Sequence, residues 1–290
     1  MKRILVTGSN GQLGSEIRLL APQYPQFEFD FTDVAELDIT DAQAVERHIS
    51  QNQTGLIINC AAYTAVDRAE DDEALCQRIN ALAPKILGEA AAKHGIGVLH
   101  VSTDYVFDGT SCRPYREEDP TSPRSVYGRT KLEGERALTG ACSNAVVVRT
   151  AWLYSEFGNN FVKTMLRLGR EKDALGVSFD QVGTPTYARD LAAALLLIAD
   201  KVLSQGFGAY AGTYHFTNEG VCSWYDFTLK IHQMAGIGSC RIRPIKSEEY
   251  PAKAPRPHYS VLDKSKIKSV FGLEIRHWEQ ALAECMTLLA

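Results

Sequence analysis

The sequence predicts an α/β fold, a doubly wound parallel sheet with a smaller C-terminal α/β substrate-binding domain, and three observations support this class. Short apolar runs alternate with longer helical stretches through the first half of the chain, which is the pattern of repeated βαβ units. Each run is almost continuously apolar, as expected for parallel strands that are buried on both faces. A glycine-rich turn follows the first run directly and leads into the first predicted helix.

The predicted elements alternate regularly as far as residue 150. Strands are expected at residues 3–7, 27–31, 56–60, 98–102 and 145–150. Helices are expected between them at residues 11–21, 41–51, 70–94 and 125–138. A further short strand is expected just before Asp38. Right-handed crossovers follow from this order of strands and helices.

The rest of the chain is less regular. Helices are expected at residues 159–170, 189–203, 223–235, 263–270 and 277–289, and a strand is expected at 214–217. Residues 113–124 and 243–258 are rich in proline, which cannot continue a helix or a central strand, so both are expected to be loops. Loops of this length in a compact domain favour a functional role.

Composition and charge exclude several classes of protein. The 290 residues include 31 Lys and Arg against 35 Asp and Glu, a net charge of −4. Nucleic acid is not an expected partner, because it is bound by basic surfaces. No apolar run approaches the ~20 residues of a membrane helix, so no membrane partner is expected either. The seven cysteines show no metal-ligand spacing, and free thiols in a cytoplasmic protein are expected.

A candidate phosphate-binding turn follows the first predicted strand. Its three glycines have the spacing GxxGxxG, and the candidate contacts in this turn are Gly8, Asn10, Gly11, Gln12, Leu13 and Gly14. Such a turn lets backbone N–H groups approach a pyrophosphate, and the following helix N-terminus adds partial positive charge. We therefore expect a Rossmann-like dinucleotide-binding domain over residues 1–150. Residues 151–290 are expected to bind the substrate, with the chain returning once to the first domain near residues 180–215.

Two acidic positions are candidates for the adenosine half of the cofactor. Asp30 lies in the second predicted strand, close to the offset at which a carboxylate binds the ribose. A carboxylate there favours NAD over NADP, because it repels a 2′-phosphate. Asp38 and Ile39 are candidates for the adenine, with the acid accepting from the amino group and Ile39 packing on the ring. The alternative is that Asp38 is simply an acid at a helix N-terminus.

A tyrosine and a lysine four positions apart form the candidate catalytic pair. Tyr127 and Lys131 share one face of a predicted helix. An ammonium group near a phenol favours the phenolate, so Lys131 is expected to lower the pKa of Tyr127 and make it a usable proton donor. Thr103 ends the fourth predicted strand, and strand ends of this kind face the cofactor. Its hydroxyl is therefore expected near the nicotinamide.

The order of these motifs resembles the extended short-chain dehydrogenase/reductase family, and the resemblance runs through most of the chain. The further matching segments are residues 59–67 (NCAAYTAVD), 102–109 (STDYVFDG), 122–128, 149–154 (RTAWLY), 158–161 (GNNF), 180–186 (DQVGTPT) and 256–257. The resemblance implies reduction of the 4-keto group of dTDP-4-dehydro-β-L-rhamnose, with NADPH or NADH as hydride donor. Members of the family use either cofactor, so the resemblance leaves that choice open, and it suggests a homodimer.

The resemblance also implies roles for individual residues. Tyr127 would protonate the new alkoxide, Lys131 would bind the nicotinamide ribose, and Thr103 would bind the substrate carbonyl. Along the cofactor, the resemblance adds Ala62, Tyr63, Thr64 and Ser102 to the residues of the glycine turn. Around the sugar nucleotide it implies Asp104, Tyr105, Trp152 and Arg256, with Arg256 on the diphosphate.

Two alternatives remain open at this point. A nucleotide-sugar epimerase would use the same scaffold, and a regulatory subunit would keep the fold without the chemistry. A 4,6-dehydratase is disfavoured, because it needs Asp-Glu after the threonine and this chain has Asp104-Tyr105.

Some family members carry Mg²⁺ at a dimer interface, and Glu16 matches one ligand. The other expected position holds Arg189-Asp190 and a third acid cannot be placed, so no metal is expected.

Overall fold

A six-stranded parallel sheet organises the fold in the computed structural model, which describes residues 2–289. The strands are β1 (Lys2–Thr7), β2 (Phe27–Thr32), β3 (Thr54–Asn59), β4 (Gly97–Thr103), β5 (Ala145–Thr150), β6 (Leu153–Tyr154), β7 (Ala174–Ser178), β8 (Val182–Gly183), β9 (Thr186–Tyr187), β10 (Gly212–His215), β11 (Cys222–Ser223) and β12 (Arg241–Ile245). The main sheet has the order β10-β5-β4-β3-β1-β2, and all its neighbours are parallel. The order reverses beside β1, which is where open parallel sheets bind ligands at their carboxyl ends.

Helices cover both faces of this sheet. They are α1 (Gln12–Leu20), α2 (Ala42–Asn52), α3 (Val66–Ala69), α4 (Glu73–Gln77), α5 (Ala83–His94), α6 (Val126–Ala141), α7 (Phe161–Glu171), α8 (Ala188–Gln205), α9 (Trp224–Met234), α10 (Ser265–Phe271) and α11 (Trp278–Leu289). One apolar core joins the sheet to α1, α8 and α10, and a second joins its other face to α2, α5 and α6. The predicted doubly wound α/β class is therefore confirmed.

The chain returns to the first sheet after residue 150. Helix α8 packs against α1, and β10 pairs with β5 at the sheet edge. Three two-stranded sheets lie outside the main sheet, β6 with β9, β7 with β12 and β8 with β11. A third apolar core, formed largely by α7, α9 and α11, supports this outer part.

The predicted helix over residues 70–94 is wrong in its start and in its continuity. It begins at Glu73, after the separate short helix α3, and one turn over Arg78–Leu82 is a π-helix. Pro84 explains the wide turn, because it has no N–H to donate to the Asn80 carbonyl four residues earlier. The Asn80 side chain is buried there, and it both accepts from the Tyr63 N–H and donates to the Tyr63 carbonyl.

Two further expectations are corrected by the structure. The predicted loop over residues 243–258 begins inside β12, which pairs with β7 and contains Pro244. A two-stranded sheet leaves one side of each strand unpaired, so the missing proline N–H disrupts no second neighbour. The short strand expected before Asp38 is a turn, closed by the Leu37 N–H on the Asp33 carbonyl. Among residues 2–289, no helix has the length and apolarity needed to cross a bilayer.

Candidate active site

A cleft opens at the carboxyl ends of β1, β3, β4 and β5, where the sequence analysis places the site. It has a volume of about 450 Å³. The expected site residues that line it are Gly8, Gly11, Gln12, Leu13, Ala62, Thr64, Ser102, Thr103, Asp104, Tyr105, Tyr127, Lys131 and Trp152. The structure thus brings most of the predicted contacts together, although they come from distant parts of the chain.

The glycine turn is built so that backbone groups face this cleft. Gly8 has a φ of +65°, and a Cβ there would lie 2.7 Å from the Ala61 nitrogen. Gly14 lies behind the turn, where a Cβ would be 2.4 Å from the Ser9 Cα. Gly11 caps α1 without a side-chain hydrogen bond, so the first N–H groups of the helix are left for an anion.

A second pocket adjoins the glycine turn and contains the expected adenine contacts. Asn10, Asp38 and Ile39 line it together with Asp33. The Asp38 carboxylate accepts from the Thr40 N–H and hydroxyl, which lowers its pKa. Asp38 lines the pocket proposed for the adenine, whereas the N-cap of α2 is Asp41, so the alternative role of Asp38 at the helix N-terminus is not seen.

The structure does not bring Asp30, the predicted ribose ligand, to this pocket. Strand β2 continues to Thr32, so Asp30 lies inside the strand, where its carboxylate is 2.7 Å from His48 Nε2 on α2. The acid at the strand end is Asp33, whose Oδ2 accepts from the Asn10 N–H at 3.0 Å. Asp33 therefore replaces Asp30 as the candidate for the adenosine ribose.

Replacing each of these two acids in turn tests which of them binds the adenosine ribose. We expect Asp33→Ser to raise KM for NADH about ten-fold or more, since a lost charged hydrogen bond is worth about 1.5–3 kcal/mol. Asp30→Asn is the matched control and is expected to leave that KM unchanged, because its partner is His48. Steady-state kinetics with varied NADH measures both, and a larger effect from Asp30→Asn would contradict the reassignment.

The candidate catalytic residues lie where β4 ends and α6 begins. Ser125 caps α6 by accepting from the Gly128 N–H, and a Cβ at Gly128 would lie 2.2 Å from the Tyr105 carbonyl. The missing side chain therefore lets α6 approach the end of β4 closely. The Thr103 hydroxyl donates to Asp104 Oδ1 at 2.9 Å and accepts from the Tyr105 N–H. Tyr127 packs edge-on against the Tyr105 ring.

The expected effect of Lys131 on Tyr127 is not seen in this structure. Burial raises the pKa of Tyr127 above its ordinary value, opposed mainly by the Thr103 hydroxyl. The Lys131 amine instead donates to the Val101 carbonyl at 2.7 Å, and its Nζ lies 3.3 Å from His100 Nε2. Burial lowers the pKa of Lys131 to about 8. Tyr127 is therefore held in the protonated form that a proton donor requires.

Asp104 is a buried acid beside the candidate catalytic threonine. Burial raises its pKa to about 7, opposed by the Thr103 hydroxyl, and its Oδ2 has no hydrogen-bond partner. Because the folded pKa lies above the ordinary value of 3.8, the folded state binds this proton more tightly than the unfolded state. The contribution of Asp104 to stability is thus present at low pH and is lost as the pH rises toward 7.

This linkage gives a pH-dependent stability prediction. Asp104→Asn removes the titration but keeps an oxygen that accepts from Thr103. We expect the wild-type melting temperature to fall more between about pH 4 and pH 7 than that of Asp104→Asn. Thermal unfolding across this range measures the difference, and Glu16, which titrates in both proteins, cancels in the comparison. Melting temperatures that change equally with pH in the two proteins would contradict the prediction.

A third pocket continues the cleft on its outer side. Trp152 lies between the two and has a φ of +50°. Its ring stacks on Trp224, with centroids 3.4 Å apart and planes 8° apart. Trp224 was not among the predicted site residues, although it lies at the start of the helix predicted over residues 223–235, directly after the N-cap Ser223. The two rings cover each other's inner faces, and both residues line the outer pocket, where an exposed aromatic face suits a sugar or a base.

Arg256 also lines the outer pocket, and its guanidinium is already held by protein groups. It donates to Asp67 Oδ2 at 2.5 Å and to the Tyr105 hydroxyl at 3.1 Å. The other oxygen of Asp67 accepts from the N–H groups of Lys253 and Ala254. Asp67 therefore positions the loop that carries Arg256, a role the sequence analysis did not assign.

The side chain of Tyr63 does not line the cleft as expected. It packs in a small apolar cluster beside Tyr127, and its hydroxyl is buried without a partner. Its backbone is fixed by Asn80, so the loop over residues 62–64 presents Ala62 and Thr64 to the cleft instead.

The surroundings of Glu16 do not fit a divalent cation. Glu16 is fully buried, and Arg189 Nε donates to its Oε2 at 2.9 Å. The same guanidinium also pairs with Glu156 and Glu284, while Asp190 pairs with Arg276. An arginine thus neutralises the carboxylates that a metal would need, and no catalytic step is assigned to a metal. Burial is the main cause that raises the pKa of Glu16 to about 7.

Comparison with known proteins gives consistent matches over the whole chain. Residues 1–290 match the family described as the RmlD substrate binding domain. A dTDP-4-dehydrorhamnose reductase of Aggregatibacter actinomycetemcomitans is 42% identical over 97% of this chain and 97% of its own length. The crystal structure of a dTDP-4-dehydrorhamnose reductase from Clostridium acetobutylicum is 44% identical, with a TM-score of 0.92 over 99% of both chains. A Bacillus anthracis dTDP-4-dehydrorhamnose reductase in complex with NADP is 36% identical, with a TM-score of 0.92 over 99% of this chain and 100% of that one.

Proposed function

We propose, because this chain belongs to the dTDP-4-dehydrorhamnose reductase family, that it reduces the 4-keto group of dTDP-4-dehydro-β-L-rhamnose to give dTDP-L-rhamnose. The observation that carries the proposal is the position of Thr103, Tyr127 and Lys131 in one cleft with the glycine turn. NADPH or NADH supplies the hydride when it is bound. The residues present fit such a dinucleotide, since the uncapped N-terminus of α1 faces the cleft.

Three side chains of the cleft have distinct roles in the reaction. Thr103 and Tyr127 hydrogen-bond the substrate carbonyl, and Tyr127 delivers its proton to the oxygen as negative charge develops there. Lys131 holds the cofactor ribose. Holding both reactants in fixed positions supplies a large part of the rate enhancement, an effect worth about 7–11 kcal/mol in favourable cases.

The outer pocket is proposed to hold the sugar nucleotide. Trp152 and Trp224 present the aromatic surface, and Arg256 suits the diphosphate oxygens because its guanidinium is planar and permanently charged. Asp67 holds Arg256 at the pocket before substrate arrives. A homodimer in the cytoplasm completes the proposal, and light scattering of the purified protein tests the assembly.

The two other enzyme activities on this scaffold differ at identifiable points. A dehydratase needs a second carboxylate at position 105, where this chain has a tyrosine that binds Arg256. An epimerase retains its cofactor through turnover, whereas a reductase consumes it. A regulatory subunit does not need an intact set of catalytic side chains, and all three are present here.

One assay separates these functions. The purified protein is mixed with NADPH or NADH and with dTDP-4-dehydrorhamnose made in situ, and the near-ultraviolet absorbance of the reduced nicotinamide is followed. The proposal expects a loss of absorbance equal to the keto sugar added, with dTDP-rhamnose as product. A new epimer without net cofactor oxidation would indicate an epimerase, and binding without turnover would indicate a regulatory subunit.

A further inference from the structure

A chain of buried polar groups lies behind Lys131 and has no role in the mechanism above. It runs from Thr7 on β1 through Asn59 on β3 and His100 on β4 to the amine of Lys131 on α6. All four residues are buried. The successive distances are 2.7 Å from Thr7 Oγ1 to Asn59 Oδ1, 3.0 Å from Asn59 Nδ2 to His100 Nδ1 and 3.3 Å from His100 Nε2 to Lys131 Nζ.

The orientation of the Asn59 amide follows from its neighbours. Its Oδ1 accepts from the Ala61 N–H at 3.1 Å as well as from the Thr7 hydroxyl. A backbone N–H can only donate, so the atom facing Ala61 is the oxygen, and the NH₂ group must face His100. That group also can only donate, and therefore His100 Nδ1 accepts and carries no proton.

The tautomer of His100 is thereby fixed. Burial lowers the pKa of His100 well below its ordinary value, so the ring is neutral. A neutral imidazole carries one proton, and with Nδ1 occupied as an acceptor that proton is on Nε2. The Nε2–H points at Lys131 Nζ. An ammonium there would set two donors against each other, whereas a neutral amine accepts the hydrogen bond with its lone pair.

We propose that His100, held in its Nε2–H tautomer by Asn59, is a positioning residue that donates to Lys131 and favours the neutral amine in the cofactor-free protein. The amine keeps its own N–H on the Val101 carbonyl at 2.7 Å. This inference rests on the proposed function only for its catalytic consequence, because the hydrogen bond itself exists without cofactor or substrate.

Other charged groups around Lys131 do not reproduce this effect. Cys60 lies just after β3 and Cys76 lies on α4, and burial raises the pKa of both thiols, so they remain uncharged near neutral pH. Glu135 lies one turn further along α6 and favours the ammonium, but it is bound by Arg149. Burial of Lys131 itself acts in the same direction as His100.

Two substitutions separate the hydrogen bond from simple packing. His100→Leu fills the space but has no donor. His100→Gln restores both hydrogen bonds of the histidine, since its amide oxygen accepts from Asn59 and its NH₂ group donates to Lys131. We expect the titration midpoint of Lys131 to rise by about one pH unit in His100→Leu, the shift that corresponds to one lost hydrogen bond. In His100→Gln it stays near the wild-type value.

The readout is the ¹³Cε shift of Lys131 in cofactor-free protein labelled with ¹³C-lysine, assigned by its absence in Lys131→Met. Equal midpoints in wild type and His100→Leu, or equal shifts in both variants, would overturn the proposal. Should His100→Leu fail to fold, long-range ¹H–¹⁵N spectra of the wild type decide, since a proton on His100 Nδ1 overturns it. In the reductase assay, the alkaline limb of kcat/KM for the cofactor, which reports groups of the free enzyme, is expected to move upward with the midpoint. An inactive protein leaves the spectroscopic result intact, so failure of the proposed function is distinguishable from failure of this inference.

Discussion

Tyr127→Phe is expected to lose turnover by about 10²–10⁴-fold, the usual contribution of a positioned proton donor. The substitution removes only the hydroxyl, and the ring keeps its edge-on contact with Tyr105. Cofactor affinity is expected to stay near wild type, because the hydroxyl is not needed to hold the glycine turn. Stopped-flow measurement of cofactor oxidation and fluorescence titration with NADPH test the two statements.

A second tyrosine provides the control for this experiment. Tyr24 packs against Phe27 at the far edge of the sheet, away from the cleft, and Tyr24→Phe is expected to keep full activity. If Tyr127→Phe turned over at a rate close to that of Tyr24→Phe, Tyr127 would not be the proton donor. A parallel loss of cofactor affinity would instead indicate that the fold of the site had changed.

Gly14→Ala is expected to destabilise the protein by about 1–3 kcal/mol and to abolish measurable cofactor binding. The added Cβ would lie 2.4 Å from the Ser9 Cα and 2.6 Å from the Gly8 carbonyl oxygen. Both are backbone atoms, so the turn must move away from α1 to relieve the contact. Chemical denaturation measures the loss of stability, and fluorescence titration with NADPH measures binding.

The matched control is a glycine with free space around it. Gly140 lies near the end of α6, and a Cβ there would meet no atom within 4 Å. Gly140→Ala is expected to stabilise the protein by about 0.5–1 kcal/mol, because alanine loses less backbone entropy in a helix. Equal effects of the two substitutions would show that the close approach at Gly14 does not hold the turn in place.

The features predicted well from sequence are those that a local pattern specifies. Continuous apolar runs identify the strands of the main sheet, and the glycine spacing identifies the turn after β1. Asp33 was not identified as a candidate for the ribose because the apolar pattern does not show where β2 ends. The strand runs to Thr32, so the acid that reaches the pocket is Asp33 rather than Asp30. A predicted end point one residue later would have placed Asp33 directly after the strand.

Long-range contacts between side chains account for what the sequence did not reveal. Trp224 and Asp67 carry no motif of their own, and they acquire a role only where the fold brings them against Trp152 and Arg256. The pKa of Tyr127 was expected to fall because Lys131 is one helical turn away. Instead, the Lys131 amine is bound by Val101 and His100 on β4, which no pattern within α6 reveals.

The wide turn over Arg78–Leu82 has a consequence for both ends of the helical segment. A π-turn holds one residue more than an α-turn, and one residue rotates the following helix by about 100° about its axis. Cys76 before the turn packs beside Val126, whereas Leu87 after it belongs to the core under the sheet. In an uninterrupted α-helix, either Cys76 or Leu87 would face away from the residues that it packs against. The one additional residue thus rotates α5 relative to α4, so that α4 packs at the rim of the cleft while α5 packs into the hydrophobic interior.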